Sequence, residues 1–247
     1  MKARLSFAHP NTNPGKLRAL DALQAEFRAY AQACIDQMVG AKKHHISLSE
    51  RRRFFPLAML LSSHLRTSAQ MQAVHTVSTW HATLWSRLKK CLYQEKHEPT
   101  FRTQVRLVAL YGLHEPKKCG HIEVTQQAVD LWWSWVWDTE VSGKTPVLKE
   151  DAPMWLAEGA IEFEPPRSLG RYKSIPAKMA VRWARVSCLV NGKRVHIPLI
   201  CDPKILTDSD LSKSVLVGKR DGRWFFQITD QSPEVAIPTP PSDAKKV

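Results

Sequence analysis

Apolar side chains recur with two different periods along this chain, and the periods separate a helical part from an extended part. Across residues 16–39 and 66–92 they return every three or four positions, which predicts two long helices, each buried along one face. Across residues 181–229 apolar and polar positions alternate instead, which predicts β-strands. The pattern therefore indicates an α+β protein with a small antiparallel sheet.

Two dipeptides mark the turns of this sheet. Asn191-Gly192 and Asp221-Gly222 each follow a strand-like run and supply the positive φ angles that tight hairpins need. Pro198 lacks the N–H that a strand ladder uses, so its strand is expected at an edge or a bulge. Residues 3–7 alternate in the same way and predict a short first strand.

Capping signals predict further helices between the first strand and the sheet. The run Ser47-Leu-Ser-Glu50 is a capping box and predicts a helix start. Thr125 begins a second predicted helix, over residues 126–138. The Asp-Ala-Pro opening of residues 151–159 predicts a short helix as well, whereas residues 100–118 fit either a strand or a helix.

The helix over residues 126–138 carries four tryptophans within six positions, and they cannot all face one core. Some are expected to pack against a neighbouring element or a partner chain. Base stacking is an alternative use of aromatic rings, but the acidity of the surrounding sequence argues against it. These residues are Trp132, Trp133, Trp135 and Trp137.

The charge changes the picture, because 36 basic residues stand against 23 acidic ones, for a net charge of +13. Such a balance favours a polyanionic partner, with nucleic acid first and an anionic membrane second. The excess lies in two blocks: residues 1–118 carry 19 basic and 7 acidic side chains, and residues 165–231 carry 13 and 5. Residues 119–164 are acidic, with 2 basic and 9 acidic side chains. Nucleic acid is therefore expected on the flanking blocks.

Segments for membrane insertion or secretion do not stand out. No apolar run approaches the roughly 18 residues that a membrane span needs, and the first residues carry no secretory signal pattern. Five cysteines without regular spacing suit a reducing compartment. We expect a cytoplasmic protein without a membrane partner.

Catalytic patterns are also missing. The sequence has no glycine-rich phosphate loop, no Gly-x-Ser-x-Gly and no His-Glu-x-x-His. Cys119 and His121, with Cys91 and His97 upstream, match no common zinc-finger spacing. We therefore expect no catalytic residue, metal site or cofactor in this chain, and whether the protein serves an enzyme stays open.

The order of the pieces resembles a known family. A short strand ending at Pro10 is followed by basic helices, then by Gly192-Lys-Arg-Val-His-Ile-Pro-Leu199, then by Lys219-Arg-Asp-Gly-Arg-Trp-Phe-Phe-Gln-Ile228 and a proline-rich tail. This layout is similar to the N-terminal part of the TnpB nucleases and the related type V CRISPR effectors. The resemblance implies a wedge domain, a small antiparallel OB-like β-barrel, with a helical recognition lobe inserted after its first strand.

The resemblance also implies a division of the chain. The expected parts are a first wedge strand (1–12), a helical recognition lobe (13–118), an acidic Trp-rich helical insertion (119–170), the wedge β-barrel (171–231) and a linker (232–247). In the family a RuvC nuclease domain follows such a linker. Its catalytic carboxylates, and the Mg²⁺ they bind, are expected only if that domain is supplied elsewhere.

Site roles carry over from the same resemblance. The start of the long helix would read a short DNA motif beside the target, and Gln70 or Gln72 could pair with adenine. The residues of that reading segment are Arg66, Gln70, Gln72, His75 and Thr76. The cations implied to contact guide-RNA phosphates are Arg51, Arg52, Arg53, Arg171, Lys173, Arg182, Arg185, Lys193, Arg194, Lys219, Arg220 and Arg223.

Several of these roles have a plain structural alternative. The three consecutive arginines from Arg51 oppose the positive end of their helix dipole, and they suit either a solvated face or a phosphate site. Trp224 could stack on a base, although a core position is the commoner use of such a ring.

The resemblance implies a guide RNA and a target DNA as partners, with a separate nuclease chain or a second copy as further candidates, in a prokaryotic, nucleoid-associated setting. Two other functions remain open. One is a guide-independent nucleic-acid-binding factor of a mobile element. The other is an interaction subunit that docks through the Trp-rich segment.

Overall fold

The structure, a computed structural model, describes residues 3–43, 46–56, 60–138, 145–164, 180–189, 193–201 and 214–229. It contains five helices and nine strands in these ranges. The α+β class predicted from the sequence is confirmed. The helices are α1 (Pro14–Gly40), α2 (Leu48–Phe54), α3 (Ser63–Gln94), α4 (Pro99–Tyr111) and α5 (Gln126–Trp137). The strands are β1 (Ala3–Ala8), β2 (Lys117–Cys119), β3 (Ile122–Val124), β4 (Met154–Ala157), β5 (Ile161–Phe163), β6 (Ala180–Ser187), β7 (Arg194–Cys201), β8 (Ser214–Arg220) and β9 (Arg223–Thr229).

Periodicity predicted the long helices correctly. The stripe predicted for α1 is buried from Leu20 to Met38, and that of α3 is buried from Val74 to Leu92. At α2 the predicted capping box is present, because the Ser47 backbone N–H donates to Glu50 Oε2 at 3.0 Å. Residues 100–118, left open between strand and helix, contain α4, which ends on Gly112 in the left-handed conformation (φ 60°).

The chain forms two compact units. The first comprises the described residues within 3–33, 56–72 and 148–229, and the second comprises those within 34–55 and 73–147. The helices α1 and α3 each contribute residues to both units.

A seven-stranded antiparallel sheet forms the first unit, in the order β4-β8-β9-β1-β7-β6-β5. One face is apolar, since the register places Val217 opposite Phe226 and Met154, and Ile197 opposite Ala184. All five side chains are 1 % exposed or less. This face supplies the core of the unit, as alternation along the strands requires.

The first strand lies in the middle of this sheet. β1 pairs with β9 over Ala3–Phe7 and with β7 at Phe7 and Ala8. The strands at its two sides therefore come from near the far end of the chain, more than 180 residues later. The predicted first strand is confirmed, and it pairs at the centre of the sheet.

The two edge strands of the sheet are neighbours in the chain. Only Glu158, Gly159 and Ala160 separate β4 from β5, and the Ala160 N–H donates to the Ala157 carbonyl at 3.0 Å across this corner. The sheet must therefore curl so that its edges meet. Its hydrogen-bond ladder nevertheless stays open, so the closed small barrel expected from the sequence is not what the structure contains.

Two local predictions were wrong. Residues 151–159 contain the strand β4 rather than a short helix, because Met154–Ala157 pair with Ser214–Val217 of β8. The segment 119–170 is consequently not a helical insertion throughout: it contains the last residue of β2 and all of β3, α5, β4 and β5.

The position of Pro198 also differs from the prediction. Its strand β7 lies between β1 and β6, not at an edge, and pairs with β6 without a bulge. The missing Pro198 N–H is tolerated because β1, the neighbouring strand on that side, ends at Ala8, just before the residue that faces Pro198. His9 donates to the Pro198 carbonyl at 2.8 Å, and the His9 carbonyl instead accepts from the backbone N–H and side-chain hydroxyl of Thr12.

The second unit has a helical core around tryptophan. Trp132 is fully buried and Trp133 is 8 % exposed, and both pack with residues of α3 and α4. The Trp133 indole N–H donates to the Leu113 carbonyl at 2.7 Å. Trp137 is 38 % exposed, with Lys42 Nζ 5.5 Å from its ring. The crowding of tryptophans is thus resolved mainly by packing against neighbouring helices.

Candidate nucleic-acid interface

Two arginines and two phenylalanines form a cluster on the neighbouring strands β8, β9 and β1, where the Phe225 ring is buried and both arginines are exposed. Phe7 of β1 pairs directly with Phe225 of β9, and Arg223 of β9 pairs directly with Arg220 of β8. The Arg223 guanidinium lies 4.9 Å from the Phe7 ring centroid, and that of Arg220 lies 5.6 Å from the Phe225 ring. We call these four residues the Arg–Phe cluster.

The turn beside this cluster explains its geometry. Asp221 and Gly222 have φ angles of 51° and 73°, so the predicted hairpin with two left-handed residues is confirmed. The turn brings Arg220 and Arg223 opposite each other, and both are exposed. The other predicted turn, Asn191-Gly192, lies outside the described residues.

The electrostatics of the Arg–Phe cluster favour an anion. Like charges directly opposite each other destabilise a sheet, and among the described residues neither arginine has a carboxylate as ion-pair partner. Both guanidinium groups lie within cation–π range of an aromatic ring. Both arginines are exposed, so a ligand can reach them.

Lys219, the next cation along β8, is engaged differently. Its ammonium group pairs with the Asp21 carboxylate of α1 and lies 5.3 Å from the Trp224 ring. Trp224 itself is 2 % exposed. A ring buried to this extent offers no face to a base. Trp224 therefore occupies a core position, and the stacking role predicted from the sequence is not supported.

Two of the predicted RNA-binding arginines form ion pairs with carboxylates at the protein surface. Arg194 pairs with Glu162, while Arg185 lies 3.6 Å from Glu162 and 3.8 Å from Glu164. His196 Nδ1 lies 3.0 Å from Glu164. We call these five residues the β5–β7 ion network. They lie on β5 or directly after it, on β6 and on β7. Since its two carboxylates balance the two arginines, the network presents little net charge to a polyanion.

The same contacts act on Glu162. A hydrogen bond from Arg194 holds the pKa of Glu162 below its ordinary value of 4.5, with a further contribution from the nearby charge of Arg185, whereas partial desolvation opposes the shift. The carboxylate therefore stays ionised to lower pH, which preserves the network.

The remaining cations of the predicted wedge set fall into three groups. Arg182 is 8 % exposed, donates through Nε to the Glu164 carbonyl at 3.1 Å and lies 5.4 Å from the Phe163 ring. Lys193 is exposed, at the start of β7. Arg171 and Lys173 lie outside the described residues. Only Lys193, Arg220 and Arg223 therefore combine exposure with the absence of an ion pair in the described part of the wedge.

The three arginines of α2 have different surroundings. Arg51 is half-buried and donates through Nε to the Ile46 carbonyl at 3.4 Å, and its burial lowers the pKa of the guanidinium from its ordinary value. Arg53 is exposed, and the side chain of Arg52 lies outside the described part. The solvated face and the phosphate site both stay predictions.

The predicted motif-reading segment lies on α3, and one of its glutamines has a structural role. Gln72 Nε2 donates to the Pro153 carbonyl at 3.0 Å, and Gln72 Oε1 accepts from the Trp155 N–H at 2.8 Å. The carboxamide thus pairs with the edge of β4 as a neighbouring strand would. Reading a base with this side chain would require both bonds to break.

The other residues of that segment keep their place as predictions. Gln70 donates to the Tyr30 hydroxyl at 2.8 Å, and that hydroxyl donates to the Pro56 carbonyl at 2.9 Å. Arg66 is partly exposed in the first unit, whereas His75 and Thr76 follow on the part of α3 that belongs to the second unit.

One set of cations was not recognised from the sequence. Lys89 of α3 and Arg102 and Arg106 of α4 line a groove between the two helices. In the sequence Lys89 lies near the end of a helix predicted to stop at residue 92, where a cation suits the helix dipole, but α3 continues to Gln94 and has no basic residue in its last turn. The groove could have been predicted from residue spacing. Lys89 and Tyr93 are four positions apart, as are Arg102 and Arg106, so each pair lies on one face of its helix.

Other chemistry finds little support in the described ranges. They hold no group of three or more His, Cys, Asp or Glu side chains arranged to bind a metal ion. Across the same ranges, no helix has the combined length and apolar character to span a bilayer. Burial raises the pKa of the Cys188 thiol, which lowers its reactivity.

Comparisons with known proteins do not place the chain in a family. No family model matches it, and no curated protein matches it significantly. The functional argument therefore depends on the geometry above.

Proposed function

We propose that this chain binds a guide RNA and reads a short DNA motif, as the binding half of an RNA-guided DNA endonuclease or of a nuclease-less RNA-guided DNA binder. The observation that carries the proposal is the Arg–Phe cluster. Two exposed arginines, without carboxylate partners among the described residues, face each other across a β-ladder and rest on aromatic rings. A phosphate between them would relieve their repulsion.

The topology supports the TnpB-like interpretation. A first strand that pairs at the centre of a sheet, with helices inserted before its partner strands, is the arrangement that a wedge interrupted by a recognition lobe requires. On this proposal the curled sheet corresponds to the OB-like wedge and the helices to the recognition lobe. Its partners are the guide RNA and the target DNA, in the prokaryotic nucleoid.

The contacts divide the predicted residues by role. The primary RNA-phosphate contacts of the wedge are Arg220, Arg223 and Lys193. Lys219 adds a further contact when its ion pair with Asp21 is broken. Arg185 and Arg194 instead hold β5 to its neighbours. The motif-reading role falls to Arg66, Gln70, His75 and Thr76.

Cleavage is assigned to a RuvC domain or a separate nuclease chain, which would bring its own carboxylates and Mg²⁺. A second copy of this chain is the other partner that fits an RNA-guided complex. On this view the residues described above bind and position nucleic acid and perform no bond cleavage.

The experiment is to purify the protein from cells in which its gene neighbourhood is transcribed and to sequence the RNA that remains bound. A single defined transcript is expected. Bound RNA of mixed sequence would instead favour a guide-independent binder, and no RNA before or after adding that transcript would refute the proposal.

A matched pair of variants tests the Arg–Phe cluster itself. Arg220→Gln/Arg223→Gln should weaken RNA binding and lower the salt dependence of log K by about 1.4 on single strands and about 1.8 on duplex, since each lost phosphate contact removes roughly 0.7 or 0.9. Lys117→Gln/Lys118→Gln removes the same charge from exposed residues of β2 and serves as the control. Equal effects from both variants would show that only total charge matters.

A further inference from the structure

A groove lined by cationic, aromatic and apolar side chains lies between α3 and α4. It lies within the second unit and has a volume of about 330 Å³. Helical spacing explains why its walls face each other, because each set recurs every three or four positions along its helix. The α3 wall is Trp85, Lys89, Leu92 and Tyr93, and the α4 wall is Pro99, Arg102, Thr103 and Arg106.

The rim of this groove, which we call the Tyr93 groove, is cationic. Lys89 and Arg106 are exposed and Arg102 is partly exposed. Within the described ranges none of the three has a carboxylate partner. Three unpaired cations around one cavity form a site whose potential attracts an anion, since low-dielectric walls concentrate the field.

Tyr93 orients this charge. It is 56 % exposed, and the Arg102 guanidinium carbon lies 4.0 Å from its ring centroid, with Lys89 Nζ at 5.9 Å. A stacked guanidinium uses its flat face and keeps the donors along its edge for a phosphate. Arg102 is therefore held in place before any ligand arrives.

Aromatic rings line the groove beside its cations, which distinguishes it from a site for a bare phosphate. Leu92 is 1 % exposed and Trp85 is partly buried. A cationic rim beside an aromatic surface is the combination that binds single strands, where phosphates meet the cations and a base packs on a ring. A duplex offers its phosphates but keeps its bases stacked inside.

We propose that the Tyr93 groove binds one unpaired nucleotide of a nucleic-acid strand, with the phosphate at Lys89, Arg102 and Arg106 and the base against Tyr93 and Trp85. The proposal rests on the nucleic-acid function proposed above and adds a second contact site, in the helical unit. It assigns this site to a single-stranded segment of the bound RNA or DNA.

Three variants of the full chain separate the parts of the site. Arg102→Gln/Arg106→Gln removes two rim charges, Tyr93→Leu removes the ring, and Lys117→Gln/Lys118→Gln is the charge-matched control in the same unit. Probes are a single-stranded RNA of about 20 nucleotides, long enough to span one site, the DNA strand of the same sequence, and the corresponding duplex. Binding is measured over a salt series, and circular dichroism checks that each variant keeps its helices.

The expected result is specific to single strands. Arg102→Gln/Arg106→Gln lowers the salt slope on the single strands by about 1.4. Tyr93→Leu weakens single-strand binding about tenfold and lowers that slope by less than Arg102→Gln/Arg106→Gln does, because the base–aromatic contact itself carries no counterion and both arginines remain. Both variants leave duplex binding at the level of the control.

Other outcomes overturn the inference in distinguishable ways. A wild-type protein that binds none of the probes refutes the general function and this site together. A wild type that binds, with groove variants equal to the control, refutes the groove alone. An equal loss on duplex refutes the unpaired nucleotide, and loss of binding to phosphatidylserine vesicles instead of the probes assigns the groove to a lipid surface.

Discussion

The ring of His64 lies against Gly159, at the corner that joins the two edge strands of the sheet. A Cβ added at Gly159 would be 2.5 Å from His64 Nδ1, and the φ angle there is 86°. The Gly159 carbonyl also accepts from Ser187 Oγ at 3.3 Å and from Arg194 Nη2 at 3.4 Å. The corner thus needs glycine for both its conformation and its space.

Substitution of Gly159 by alanine should destabilise the protein by about 2–3 kcal/mol, because a left-handed alanine costs roughly 1–2 kcal/mol and the crowded Cβ adds to it. Gly222→Ala is the control, since its φ is 73° but no atom lies within 4 Å of the added Cβ. That variant should lose only about 1 kcal/mol. Urea unfolding measures both.

The contribution of His64 is separable. In His64→Ala/Gly159→Ala the crowding is removed, and the double variant should recover the steric part of the loss. If it stays as unstable as Gly159→Ala, the φ angle alone accounts for the glycine.

Replacement of Gln72 by methionine should lower the unfolding free energy by about 1–2 kcal/mol. The reason is that the Pro153 carbonyl and the Trp155 N–H both lose their partner, and unpaired backbone groups of this kind cost about 1–3 kcal/mol. Gln127→Met, at an exposed position of α5, should change stability by less than about 0.5 kcal/mol. A base-reading role without a structural role would predict unchanged stability in Gln72→Met and weaker DNA binding.

The β5–β7 ion network should make stability depend on acid pH through Glu162. Its pKa in the folded protein is lowered, so the stabilisation is fully present above the unfolded value of about 4.5 and is lost as pH falls through the lower folded pKa. The difference in unfolding free energy between wild type and Glu162→Gln should therefore be present at about pH 5.5 and shrink below about pH 4.5. A difference that grows toward low pH would contradict this assignment.

Substitution of Asp21 by asparagine should increase RNA affinity. It removes the carboxylate that pairs with Lys219 and leaves that ammonium group free for a phosphate. An affinity gain of about threefold to tenfold at low salt is expected from one released phosphate contact. Stability should change by less than about 1 kcal/mol, because both partners are about 40 % exposed.

The control for this prediction is Asp130→Asn, which removes one negative charge from the exposed face of α5. It should raise affinity less than Asp21→Asn does. Fluorescence anisotropy with one RNA probe compares the two, and equal gains would show that Lys219 is not a specific contact.

Local sequence signals predicted the elements that do not depend on distant partners. The helix stripes of α1 and α3, the capping box at Ser47 and the Asp221-Gly222 turn are each encoded within a few residues, and all are confirmed. The strand β4 is different. Its opening reads as a helix start, but pairing with β8 and with the Gln72 carboxamide makes it a strand, and neither partner is near it in sequence.

The candidate site shows the same limit. Arg220 and Arg223 were predicted from the residues beside a turn, and they remain exposed. The ion pairs that Arg185 and Arg194 make with Glu162 and Glu164 could not be predicted. Both carboxylates belong to a segment that was assigned to an acidic insertion. The net charge of a sequence block does not show which side chains neutralise each other in the fold. Here β5, from the acidic block, pairs with a strand from the basic block, and carboxylates and arginines meet.

The central place of β1 has a consequence for how the protein is made. Residues 3–8 are synthesised before the other described residues, yet their main partner strand spans residues 223–229. The strand β1 stays unpaired with β9 while more than 200 residues are synthesised. The helical unit can begin to fold earlier, because its contacts are closer together in sequence. Completion of the sheet is therefore a late event in biosynthesis, and chaperone demand should be greatest before it.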